Sequence, residues 1–380
     1  IRTGERGSGH FRDAGWNEAL DLIADKLNGT RESKGAESVM RIGGSGSCRG
    51  ALHNTATLTQ RFLSLYGGYT ETYGNFSSEA ASFVKPHMFG TKNIGIDVKT
   101  LLDSKLIILW GFNPSDTRFG CETEALLKKA ADAGLPFIVV DPRRTPTVTK
   151  YNAKWLPISA GTDSILMLSM LYLLLSEGLA DLEFIEKYST GFEKLESYIL
   201  GKSDGVPKTP VWAADTCGLS VGDIELFTRE YASANPAALL PGLSIQRAVG
   251  GENNDRLGTV LQLATANIGI SGGGAGAGQW NRLASPECGS ITVPFNPSVK
   301  RVPVYEWADA ALGGKAAGYP SDISFLYNTG GNYLGQSSDT SKGIDAFKKI
   351  DFIVSHDYFM TPTCLWSDVV LPVTTFLERA

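Results

Sequence analysis

LIILWGFNPSDTR (residues 106–118) and PFIVVDPRR (residues 136–144) are apolar runs, each closed by a polar loop that carries proline. Between them lies ETEALLKKAADAG (122–134), with apolar residues at helical spacing. Strand, helix and strand in one such stretch make up the size of a βαβ unit, whose strands run parallel. Ligands of parallel sheets bind outside the carboxyl ends of the strands. GFNPSDTR and DPRR fall there, and WLPISAGTD (155–163), followed by a helix from Ser164, repeats the arrangement.

Further runs extend the pattern. WNEALDLIADKL (16–27) reads as a helix, Glu37–Ile42 as a strand, GGSGSCRG (43–50) as a glycine-rich loop and Ala51–Tyr66 as a helix. The stretch from Gly67 to Ser78 reads as a loop. Ala237–Leu240, SFLYN (324–328), FIVSH (352–356) and SDVVLPV (367–373) read as strands, and Asn253–Asn267 as a helix. SGGGAGAG (271–278) reads as a flexible loop, and Gln279–Pro320 shows no usable periodicity. Polar loops recurring at strand ends favour a large nucleotide-like ligand over an anonymous α/β protein.

The 380 residues suffice for two or three domains, and a net charge of −5 without basic runs leaves no footprint for nucleic acid. Cys48, Cys121, Cys217, Cys288 and Cys364 are odd in number and never at C-x-x-C spacing, which argues against a disulfide framework, a zinc site or an iron–sulfur site made by this chain alone. The longest apolar run, Ile165–Leu175, is too short to span a bilayer and reads as a buried helix. The first residue is Ile1, not methionine, and the chain stops just after a strand-like run, so both ends read as cut from a longer protein.

Single motifs are weaker. The G-x-G-x-x-A of Gly272–Ala277 follows a helix rather than a strand, a poor dinucleotide fingerprint. Asp141, directly after an apolar run, can accept from a ribose hydroxyl or a guanine edge, and Arg143 can meet a phosphate bidentately. Asp163 can do the former or cap the helix that follows it. In YGNFSSEA (73–80), Ser77 and Ser78 precede a helix-like run, where serine ordinarily caps the helix.

The ordered set LIILWGFNPSDTR, VVDPRRTPT, WLPISAGTD, PGLSIQR, IGISGGGAG and HDYFMTPTCLWSDVVLP resembles the molybdopterin oxidoreductases of the dimethyl sulfoxide reductase family, over nearly the whole chain. The resemblance implies an α/β fold: two α/β domains with mainly parallel sheets, one contiguous (76–242) and one split (1–75 and 243–380). These would sandwich bis(molybdopterin guanine dinucleotide) carrying molybdenum or tungsten. By the same resemblance Gly111, Asn113, Pro114, Asp141, Arg143 and Asp163 hold one guanine dinucleotide arm. Asn328, Gly330, Asn332, Asp357, Thr361, Thr363 and Asp368 hold the other, and Gln246 and Arg247 lie near a pterin. The metal's protein ligand in this family falls at the position of Ser77, as in serine-ligated reductases of S- and N-oxides, with Ser78 supporting or capping. Alkoxide is a hard donor suited to a high-valent metal.

The resemblance carries further expectations. A 4Fe-4S segment would precede this region in the parent protein and a β-barrel domain would follow it, so the isolated chain is expected to bind cofactor poorly and to lack turnover. GFNPSDTR and the WLPI…GTD spacing are similar to membrane-associated catalytic subunits. Those work with an iron–sulfur subunit and a membrane anchor and are often exported folded in bacteria. Other reactions on the same cofactor, a transhydroxylase or an anion reductase, remain open, as does a catalytically silent scaffold. Retention of Ser77 and of both sets of guanine-contact motifs argues against the scaffold.

Overall fold

Leu106–Trp110 is a strand buried at all five positions. Leu106, Ile108 and Trp110 enter one apolar core, while Ile107 and Leu109 enter another. A strand covered on both faces has no polar side to alternate with, so it reads as unbroken apolar sequence. Each fully buried Ile or Leu contributes roughly 1.5–3 kcal/mol, enough to fix which run occupies the sheet centre.

The computed structural model describes residues 1–44, 54–117, 121–277 and 289–378. Its strands are β1 (Val39–Gly43), β2 (Thr70–Tyr73), β3 (Leu106–Trp110), β4 (Phe137–Val140), β5 (Lys154–Leu156), β6 (Ala237–Pro241), β7 (Arg301–Pro303), β8 (Phe325–Thr329), β9 (Phe352–Asp357) and β10 (Val369–Pro372). They form two parallel sheets, ordered β5-β4-β3-β6 and β10-β9-β8-β1-β2-β7. One sheet lies in each of two compact units, Ser77–Ser285 and Ile1–Phe76 with Pro286–Ala380. The α/β class with mainly parallel sheets is as expected.

The second boundary differs from the expected 243. Residues following β6 stay with the contiguous unit, because the helix Glu252–Ala264 contributes Leu257, Val260, Leu261 and Ala264 to the core beneath β3 and β6. Leu166, Met170, Leu171 and Leu174 of the helix Asp163–Ser176 pack into the same core, so the apolar run Ile165–Leu175 is an internal helix. No helix among the described residues is long and apolar enough to cross a membrane.

The split unit repeats the two-faced packing. Met40, Ile42, Leu326 and Ile353 line one core; Val39, Phe325, Tyr327, Phe352 and Val354 line the other. The stretch expected to be a loop after Gly67 contains β2, and the unperiodic stretch contains β7. Both strands are short, and both are stabilised by a neighbour that only the fold supplies: Glu71 pairs with Arg41 on one side and Arg301 on the other.

SGGGAGAG is not a flexible loop over its described part. A Cβ on Gly276 would lie 2.1 Å from the Gly258 carbonyl oxygen, and one on Gly273 would lie 2.0 Å from that of Asn267. Backbone packs directly on backbone there, which only glycine permits. The glycine-rich loop at 43–50 is described only through Gly44.

Candidate functional site

In both sheets the strand order reverses at one point. Beyond β3 the chain builds outward through β4 and β5, then returns to place β6 on the other side of β3; in the split unit β1 and β8 flank the corresponding point. Connections leave in opposite directions at such a point, opening a crevice at the carboxyl ends of the two strands.

In the contiguous unit the crevice is bounded by Gly111 after β3 and Gly242 after β6. Gly111 has φ +57°. A Cβ on Gly242 would sit 2.0 Å from the Gly111 carbonyl oxygen, and one on Gly111 would sit 2.5 Å from Ile245 Cγ2. Ser244 Oγ donates to the Gly111 carbonyl at 2.6 Å. The backbone of Gly242 therefore packs on that of Gly111 and Phe112, and the side chains of Ser244 and Ile245 close on Gly111 from the other loop. Sequence reading missed Gly242 and Ser244, although Gly242 stands directly after an apolar run as Gly111 does.

The remaining residues expected on this edge are Asn113, Pro114, Asp141, Arg143 and Asp163. Asn113 accepts from Thr147 Oγ1, in the short helix after β4, at 2.5 Å and donates to Asp116 Oδ2 of its own loop at 2.7 Å. Pro114 is buried beside it. Asp141 is buried, and its Oδ1 accepts from the Arg143 backbone N–H at 2.8 Å, so the carboxylate shapes the turn that carries the exposed Arg143 side chain. Asp163 begins its helix as the first residue after the N-cap Thr162, and its Oδ1 accepts from Trp110 Nε1 at 2.8 Å. Burial pushes the Asp163 carboxyl above the usual carboxylate range; the Trp110 hydrogen bond opposes that, and the nearby Asp141 adds to it.

In the split unit Gly43 ends β1 and Gly44 follows it, both at positive φ, and Gly330 and Gly331 follow β8. A Cβ on Gly43 would lie 2.3 Å from the Thr329 carbonyl oxygen, and one on Gly331 would lie 3.0 Å from Gly43 Cα. Asn328, fully buried at the end of β8, donates through Nδ2 to the Gly331 carbonyl (2.8 Å) and to Ser355 Oγ (3.0 Å). Its buried Oδ1 has no hydrogen-bond partner among the described residues. Asn332 Oδ1 accepts from Thr363 Oγ1 at 3.0 Å, and Thr363 Oγ1 accepts from the Leu334 N–H at 3.0 Å, tying the loop after β8 to the one after β9. Thr361 caps the short helix Pro362–Leu365, accepting from the Cys364 N–H. Asp357 ends β9 and turns the chain by accepting from the Tyr358 N–H at 2.7 Å.

Asp368 is not on this edge. It precedes β10, and its Oδ2 accepts from the N–H of Ile353, near the start of β9. Arg2 and Arg6 close on the same carboxylate. The residue joins the amino-terminal segment to the opposite ends of the strands, so its expected place in a guanine-arm crevice is not where the fold puts it. The sequence places it only near Thr363, and the length of β10 separates it from the carboxyl edge of the sheet.

Ser77 lies in a turn just before the helix Glu79–Phe89, and its side chain is exposed. Ser78 is buried and occupies the N-cap position, but its hydroxyl makes no capping hydrogen bond. That role is taken by Gln246, from the loop after β6. Gln246 Oε1 accepts from the Ala81 N–H at 2.8 Å, and Nε2 donates to the Ser77 carbonyl at 3.1 Å, which also accepts from Arg247 Nε at 3.1 Å. Three residues singled out from sequence, Ser77, Gln246 and Arg247, are thus in direct contact across about 170 positions of chain.

The profile of the molybdopterin oxidoreductases matches residues 1–380, the full chain. The chain belongs to the molybdopterin oxidoreductase family. It is similar to a trimethylamine-N-oxide reductase of Haemophilus influenzae (32% identity, covering 99% of this chain and 50% of that protein). It is also similar to the dimethyl sulfoxide reductase DmsA of Escherichia coli (30% identity, 100% and 50%). Its fold is that of acetylene hydratase from Pelobacter acetylenicus, with a TM-score of 0.74 at 21% identity over 100% of this chain and 55% of that one. The chain spans about half the length of the curated relatives it matches. Membership of this family, with relatives among the dimethyl sulfoxide reductases, implies a molybdopterin cofactor with its metal.

Proposed function

We propose that this chain is the cofactor-holding core of an enzyme that reduces a small S- or N-oxide, with bis(molybdopterin guanine dinucleotide) as the cofactor. The observation that carries the reading is the pairing of two reversal points, one per sheet, each with glycines whose Cβ atoms would fill its mouth. A ligand with two nucleotide arms needs two such crevices. The orphaned Asn328 Oδ1 supports the fit, since a buried acceptor left unpaired costs about 1–3 kcal/mol that a donor on a bound ligand would recover. So does the exposed Arg143, placed beside a strand end where a phosphate would lie.

When bound, the cofactor supplies the two-electron chemistry by which an oxide gives up its oxygen, taken off as water with two protons. The chain's own residues hold and shape. Gly111 and Gly242 admit one arm against bare backbone, with Asp141 and Asp163 as acceptors for a base or ribose. Gly43, Gly331 and Asn328 do the same for the other arm. Asn332 and Thr363 keep the second crevice's loops in register, and Ser77 is the protein ligand offered to the metal. In the parent protein an iron–sulfur segment, an electron-transfer subunit and a membrane anchor would feed the electrons, after export across a bacterial membrane.

The test is on the full-length parent, purified anaerobically. Molybdenum and tungsten content and metal X-ray absorption are compared for the wild type and Ser77→Ala. Loss of one oxygen from the coordination shell, with loss of oxide reduction, is the expected result. Full metal with an unchanged shell in the variant would remove Ser77 from the metal, and a metal-free wild type would point to a silent scaffold.

A further inference from the structure

The helix Glu79–Phe89 begins without a side-chain cap from its own N-terminal residue. Its first-turn N–H groups would otherwise have no intrahelical acceptor. Gln246, 5% exposed, reaches in from the loop after β6 and uses both ends of its amide: the oxygen on Ala81 N–H, the nitrogen on the Ser77 carbonyl. One side chain therefore fixes both sides of the Ser77 turn. Arg247, next in sequence, adds a charged donor to the same carbonyl.

Gln246 is itself held. Asn254 Nδ2 donates to the Ile245 carbonyl, and Asn254 Oδ1 accepts from Ser164 Oγ. A Cβ on Gly251 would lie 2.1 Å from the Gln246 carbonyl oxygen, so the loop folds tightly against the start of the following helix. The loop that clamps the Ser77 turn is the one that begins at Gly242, at the reversal point of the sheet.

We propose that Gln246 is the positioning residue of Ser77: it caps the helix from outside and holds the Ser77 carbonyl, which sets where the Ser77 hydroxyl stands. The catalytic part of this rests on the reading of Ser77 as the metal's ligand; the clamp stands on the hydrogen bonds alone. A glutamate at 246 separates the two functions. Its carboxylate still accepts from Ala81 N–H, near the positive end of a helix where negative charge is favoured. It cannot donate to the Ser77 carbonyl and repels it. A methionine does neither.

The experiment uses the full-length holoenzyme as wild type, Gln246→Glu, Gln246→Met and Ser77→Ala, read by site-resolved amide exchange at Ala81 and by metal X-ray absorption. Gln246→Met is expected to speed Ala81 exchange about tenfold, the equivalent of one lost hydrogen bond. Gln246→Glu is expected to keep Ala81 protected yet disturb the coordination shell and lower kcat more than KM changes. A residue that merely caps the helix would leave Gln246→Glu unaltered. Unchanged Ala81 exchange in Gln246→Met overturns the clamp. A wild-type shell in Gln246→Glu overturns the positioning role, provided Ser77→Ala alters the shell. If Ser77→Ala leaves the shell intact as well, the ligand reading of Ser77 is what fails, and the positioning role falls with it.

Discussion

Gly242→Ala should be among the costliest single-methyl additions in the chain. Its Cβ would stand 2.0 Å from the Gly111 carbonyl oxygen, 2.6 Å from the Gly111 carbonyl carbon and 2.8 Å from Phe112 Cα. All three are backbone atoms of the neighbouring strand end, so no rotamer change relieves the overlap. Carbon and oxygen normally approach no closer than a little over 3 Å, and the ends of β3 and β6 must part by about 1 Å. That opening strains the bond from Gly242 N–H to the Trp110 carbonyl, now 2.8 Å long. Overpacking costs about 1–3 kcal/mol and the lost hydrogen bond about 1 kcal/mol, for a total of roughly 2–4 kcal/mol. Gly161→Ala is the control. Gly161 has φ +82° with nothing within 4 Å of its would-be Cβ, so it carries only left-handed strain, about 1–2 kcal/mol. Denaturant unfolding of both variants, with cofactor content measured alongside, tests the difference. If Gly242→Ala loses no more stability than Gly161→Ala, the loops after β3 and β6 are not in close backbone contact and the steric account of these glycines is wrong.

Other outcomes follow from buried titratable groups. Burial pushes His356 down to about 4, so the fold keeps it neutral while the unfolded chain protonates near 6.5. Its stabilising contribution is present above pH 6.5 and is lost as pH falls from there toward 4, by no more than about 3 kcal/mol. His356→Gln, which can still meet Tyr327 Oη, should flatten the stability profile in that window; an unaltered slope in acid denaturation would count against it. Asp163 has the opposite sign. Its raised carboxyl favours the fold below the ordinary value of 3.8 and loses that contribution as pH rises through the folded value. Asp163→Asn retains an acceptor for Trp110 and should raise the neutral-pH unfolding midpoint of cofactor-free protein, and a lower midpoint would show that the charge itself is needed. Cys217 and Cys364 are buried with thiols pushed up, so both should resist alkylation until the protein unfolds, as mass spectrometry of the labelled chain can verify.

The sequence by itself determined the sheet centres and the polar loops at their ends. LIILW, FIVV and FLYN are buried on both faces, and burial on both faces leaves an apolar run that no tertiary detail can disguise. It also determined the family, since ordered loops at successive strand ends are constrained jointly. What it left open were features set by neighbours distant in the chain. β2 and β7 are too short to announce themselves and exist through pairing with each other, while β2 also pairs with β1. Asp368 sits near Thr361 and Thr363 in sequence, yet a strand's start puts it at the far edge, between two arginines from the amino terminus. Ser78 has the residue type and position of a helix cap, and the cap comes instead from Gln246. A hydrogen bond depends on direction as well as residue type, and the direction of a side chain 165 residues away is decided only when the chain folds.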